Sequence, residues 1–149
     1  MTGFTKYTVI LVLTLAALIV SCGGEQQSES AQTDAVTVPA AEIVAPVTGV
    51  TIDGPDVRFQ LSVSGISLVP AGVDSANTGH LHLFINHDLT PEGSVIPAGD
   101  GIVHLGLAQS EYVLEGLESG EYTVIVVLGD YLHVRIPGSQ TDTARFIVR

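Results

Sequence analysis

Tryptophan is absent from these 149 residues, and phenylalanine and tyrosine number only four each. A core must therefore rest on Val, Ile and Leu, with few rings to anchor it. There is one cysteine, Cys22, which excludes an internal disulfide. The single methionine is the first residue, so no thiolate or thioether cluster is at hand for a soft metal. Basic residues are scarce as well: five Lys and Arg stand against 16 Asp and Glu, for a formal net charge of -11. Such a surface is repelled by phosphate backbones, so nucleic acid is not an expected partner. It also offers no basic patch for anionic lipid. Diffuse acidity serves solubility and is compatible with attracting cations.

Enzyme signatures are missing too. The chain carries no G-x-S-x-G elbow, no H-E-x-x-H, no phosphate-binding Walker loop and no G-x-G-x-x-G. Its carboxylates are scattered, and the spacing of Ser110-Glu111 and His104 does not ask for a hydrolase. No catalytic residue is assigned, and the expectation is a binding module and not an enzyme.

What is present begins with targeting. Lys6 precedes an apolar run from Tyr7 to Val20. That is a positive region followed by a hydrophobic one, too short for a spanning helix of roughly 20 residues. The run ends Ile19-Val20-Ser21-Cys22, which resembles the bacterial lipobox: a branched apolar residue, a tolerant position, a small residue, then cysteine. The expectation is a lipoprotein signal peptide over 1–21, cut before Cys22, whose thiol accepts diacylglycerol. Two or three acyl chains would then supply a stable membrane anchor in the cell envelope. Gly23-Gly24 follow, with no aspartate directly after the cysteine. Where the organism has an outer membrane, that pattern leans towards outer-membrane sorting, facing the periplasm or the cell surface. From Glu25 to Pro46 the chain is rich in Gln, Ser, Ala, Thr, Glu and Pro without a sustained period. Residues 22–46 therefore read as a flexible tether and 47–149 as the folded domain.

In that domain the period is two. Val57, Phe59, Leu61 and Val63 alternate with Arg58, Gln60, Ser62 and Ser64. Leu81, Leu83 and Ile85 alternate with His80, His82 and Phe84; Leu132, Val134 and Ile136 with Tyr131, His133 and Arg135; and Ala144, Phe146 and Val148 with Arg145 and Ile147. Around Tyr122–Leu128 both faces are apolar, which predicts a central strand. Turn signals such as Gly54-Pro55, Asp100-Gly101, Ser119-Gly120 and Pro137-Gly138 punctuate these runs. Leu117 through Val124 has the form of a strand-closing Leu, a Gly turn and a strand-opening aromatic, familiar from immunoglobulin-like sandwiches. The predicted fold is all-β, an immunoglobulin-like β-sandwich of about seven strands.

Five histidines draw the functional reading: His80, His82, His87, His104 and His133. His80 and His82 lie two apart on a strand, so both rings leave the same face. With His104 and His133 they would make a nitrogen-rich site suited to copper or zinc. Asp130 or Glu111 could orient a ring through its second nitrogen. His87 stands beside Asp88 at a strand end and is left out. Two readings stay open: a metal-binding face, or a structural or protein-interaction domain, docking to an envelope protein, whose histidines are only hydrogen-bond partners.

The order Gly79-His80-Leu81-His82-Leu83-Phe84-Ile85-Asn86, then Ile96-Pro97, His104-Leu105-Gly106, Gln109-Ser110-Glu111, Leu117 through Tyr122, and Gly129-Asp130-Tyr131-Leu132-His133 resembles a family of small exported bacterial proteins, domain of unknown function family 4399. Its pattern runs roughly G-H-H-H-L-L-I-D, I-P, H-F-G-x-G-Q-T-E, L-x-P-G-x-H-T-L and G-D-x-x-H. This chain departs from it at Leu81, Asn86 and Ala108, where the pattern has histidine, aspartate and glycine. The resemblance implies export and fold, and no activity.

Overall fold

The computed structural model describes residues 37–149. Cys22, the signal segment and most of the tether lie outside the described residues. Nine strands follow in order: β1 (Ala40–Ala45), β2 (Thr51–Ile52), β3 (Val57–Ser64), β4 (Ser67–Leu68), β5 (Thr78–Ile85), β6 (Ile102–Leu105), β7 (Glu111–Leu114), β8 (Gly120–Gly129) and β9 (Asp142–Val148). The excess over seven comes from β2 and β4, two residues each and too short to show a period.

Strands β1, β3 and β7 form one sheet. The other runs β2-β9-β8-β5, with β4 and β6 both pairing β5. The chain thus crosses between sheets repeatedly, and β7 returns beside β3 instead of joining its sequence neighbour β6. Three strands against a β9-β8-β5-β6 sheet is the immunoglobulin-like arrangement. Its corner is present as well: Tyr122, near the start of β8, donates its hydroxyl to the Glu118 carbonyl at 3.0 Å.

The alternations explain the core. Val57, Phe59 and Leu61 of β3, with Ala41 and Ile43 of β1, meet Leu81, Leu83, Val124, Val126, Leu128, Ala144, Phe146 and Val148 from the opposite sheet. Phe59 and Phe146 touch edge to face across it, with centroids 6.0 Å apart. As its two-faced pattern predicts, β8 is central, between β5 and β9.

Two expectations need correction. The tether does not extend to residue 46, because β1 occupies Ala40–Ala45 and pairs with β3. Its buried residues include two alanines, too small to register as an apolar alternation. Nor is Tyr131–Ile136 a strand. Only single bridges occur there, Val134 to Val95 and Arg135 to Gly129, and Leu132 is exposed. The Asp130 carboxylate holds this stretch as a turn, accepting from the amides of Leu132 at 2.9 Å and Val134 at 2.8 Å.

Candidate metal centre

Strand β5 puts Leu81 and Leu83 into the sandwich core, so His80, His82 and Phe84 leave its outer face. Register decides their neighbours. His82 stands opposite His104 on β6 and opposite Val127 on β8, and His80 stands opposite Gly129. The outer face is thus imidazole at one end and apolar at the other, where Phe84, Val127 and Ile96 form a second small core. The segment between β5 and β6 covers that end. It is tied down by Ile96 N–H to the His133 carbonyl at 2.7 Å and by Arg135 N–H to the Ser94 carbonyl at 2.9 Å. This cover is why β5 is buried on both faces although its strand neighbours β4, β6 and β8 all lie in its own sheet.

His133 arrives from the turn after β8. Its N–H donates to the Asp130 carbonyl at 2.9 Å, and its backbone is left-handed with φ 62°. A histidine tolerates that region better than most residues, at some cost in strain.

The four rings converge. One nitrogen from each of His80, His82, His104 and His133 lies within 4.8 Å of every other. His82 Nε2 is 3.0 Å from His80 Nε2, and His133 Nε2 is 3.2 Å from His104 Nε2. Four nitrogens held tetrahedrally at about 2.0–2.1 Å from an ion stand roughly 3.3 Å apart. The two near pairs therefore already have ligand spacing. His80 and His82 are buried, His133 is half-buried and His104 is exposed, so the group is reached from the His104 side.

Two glycines leave room for the rings. A β-carbon on Gly106 would collide with the ring of His104, and one on Gly129 would stand 3.0 Å from His82 Nε2. A cavity of about 140 Å³ adjoins the cluster, walled by Ile96, Pro97 and Ile102 and by the rings of His82, His104 and His133.

Burial and repulsion from neighbouring rings favour the neutral form of His80, His82 and His104. Burial, then the neighbouring His104 and His133, pushes His80 down to about 4 against a small opposing pull from Asp130. Burial, then the other three histidines, pushes His82 down to about 3. His104 is lowered by burial and then by His133. Neutral imidazoles present lone pairs, the form a metal binds. Among the described residues, the buried Nδ1 atoms of His80 and His82 have no hydrogen-bond partner.

The expected orienting carboxylates are placed otherwise. Asp130 is spent on backbone amides and shapes the His133 turn instead of meeting a ring. Glu111 lies on β7 in the other sheet, where its exposed carboxylate pairs with Arg58 at 3.2 Å. His87 points its Nδ1 to the Asp88 carbonyl and is not in the group. Residue-type reasoning missed Gly106 and Gly129, although both stand within sequence motifs that hold the histidines.

A profile of the family described as "Domain of unknown function (DUF4399)" matches residues 57–148, more than half of the chain. No curated protein matches. Among solved structures the chain is similar to fibronectin(III)-like modules of Clostridium thermocellum CbhA, at 15% identity and TM-score 0.43, covering 73% of this chain and 95% of that one. The PKD domain from human KIAA0319 is similar at 14% identity and TM-score 0.41, covering 78% and 88%. The CARDB domain of PF1109 from Pyrococcus furiosus is similar at 14% identity and TM-score 0.42, covering 74% and 95%.

Proposed function

The chain belongs to the DUF4399 family, whose description assigns no activity, and we propose from the site itself that the domain binds a transition metal ion, copper or zinc, through His80, His82, His104 and His133. The observation that carries this is the convergence of four imidazole nitrogens within 4.8 Å. An all-imidazole donor set suits divalent copper and zinc, with copper(II) the tighter of the two.

The second reading is a structural or protein-interaction domain, favoured by the His80–His82 and His104–His133 contacts, which also serve as hydrogen bonds. A titration of the full-length chain with Cu²⁺ and Zn²⁺ separates the two. The metal reading expects one equivalent bound at about micromolar Kd or tighter, weakened roughly 100-fold by His82→Ala with His104→Ala. Millimolar binding, or binding indifferent to that pair, establishes the second reading instead.

The same proposal places the domain in the cell envelope, lipid-anchored through Cys22 after cleavage of residues 1–21. The supporting feature is the Ile19-Val20-Ser21-Cys22 sequence after an apolar run. Labelled palmitate fed to cells should enter the wild-type protein and not Cys22→Ser. An unlabelled, freely secreted wild-type product rules the anchor out.

A further inference from the structure

We propose that the metal held by the four histidines keeps a coordination position open towards the adjoining cavity and takes a small monodentate anion there. This rests on the metal reading above. His80 and His82 are buried against the sheet and close one side of the group. The cavity of about 140 Å³ meets the other side, and the rings of His82, His104 and His133 form part of its wall. A molecule in the cavity is therefore in reach of the point around which the nitrogens gather. Four histidines do not exhaust the ion's capacity, since zinc expands to five ligands and copper(II) favours tetragonal sites with weaker axial positions.

Charge selects the class of ligand. Imidazole coordinates as a neutral group, so a divalent ion in this site keeps its full double charge. No carboxylate belongs to the ligand group, and the nearby Asp130 oxygen is committed to the amides of Leu132 and Val134. The remaining wall is Ile96, Pro97, Ala98, Gly99 and Ile102, whose side chains carry neither charge nor donor. An anion bound there meets the ion beside side chains that offer it no competing charge. The same wall penalises a strongly hydrated or multiply charged anion, which would lose its water without replacement. Size agrees: a water molecule's share of liquid is about 30 Å³, so the cavity admits an anion of a few atoms. A weakly hydrated monoanion fits on both counts.

Azide is the probe. Full-length protein loaded with one equivalent of copper(II) should develop an azide-to-copper charge-transfer band in the near ultraviolet, with a changed electron paramagnetic resonance spectrum, both saturating together. Two variants fill the cavity from its exposed loop. Gly99→Leu is sterically open, since a β-carbon there meets nothing within 4 Å. Ala98→Phe adds bulk one residue earlier. Each should bind copper as the wild type does, while azide affinity falls roughly tenfold or more. Copper bound stoichiometrically with no azide band means closed coordination, and this proposal fails while the metal reading stands. A band that neither variant weakens means the anion enters by another face, and the cavity assignment fails. If copper itself does not bind, the metal reading falls and takes this proposal with it.

Discussion

At residue 106 the absent side chain is what matters, because the ring of His104 occupies the space a β-carbon would need. Gly106→Ala should displace that ring and weaken metal affinity about tenfold, while the main core, which Gly106 does not join, keeps its packing. Competition with a chelating dye measures the affinity, and an unchanged value would show that the ring's place does not matter. The same scale explains the departures from the family pattern. Leu81 faces the sandwich core and is fully buried there, so a histidine lost at that position is not lost from the outer face. Ala108 has φ 61°, a conformation that a glycine adopts freely. Asn86 has φ 49°, which asparagine tolerates, and its Oδ1 accepts the Thr123 amide at 2.8 Å.

At the scale of elements, the turn from Asp130 to Val134 delivers one of the four rings, and one carboxylate oxygen organises it. Asp130→Ala removes the acceptor for two amides, costing about 1–3 kcal/mol, and frees His133 from its left-handed position. Asp130→Asn keeps an acceptor oxygen in place and should restore most of both stability and metal affinity. Denaturant unfolding and a metal titration on the two variants check this; equal loss in both would mean that the negative charge matters more than the turn. Strand β5 serves two cores at once, Leu81 and Leu83 inward and Phe84 outward beneath Ile96. That double burial holds His80 and His82 in fixed positions without any help from a disulfide.

For the whole molecule, the buried histidines link stability to pH. Folded His80 and His82 hold protons only near pH 4 and 3, whereas the unfolded chain takes them up near 6.5. Between those values the unfolded state binds more protons, so stability is fully present above about pH 6.5 and is lost as pH falls towards 4 and below. Metal-free protein should therefore lose a few kcal/mol between pH 7 and 4. Urea unfolding at several pH values measures the slope, which should flatten when His80 and His82 are both replaced by Leu. A slope unaffected by that pair would assign the acid sensitivity to other groups.

Periodicity sufficed for the long strands, because a strand with one buried face must alternate and a central one must be apolar on both; β3, β5, β8 and β9 were legible for that reason. The same two-residue period placed His80 and His82 on one face. It failed where side chains are small, as in Ala40–Ala45, and where a chance alternation runs through a turn, as in Tyr131–Ile136. Local patterns thus determined the fold class, the central strand and the shared face of two of the four clustered histidines. Only the tertiary structure decided that β6 pairs with β5 so that His104 faces His82, that the Asp130 turn brings in His133, and that Glu111 belongs to the other sheet. The reason is physical: spacing along a chain sets which face a side chain leaves, whereas the register between strands and the path of turns set what it meets there.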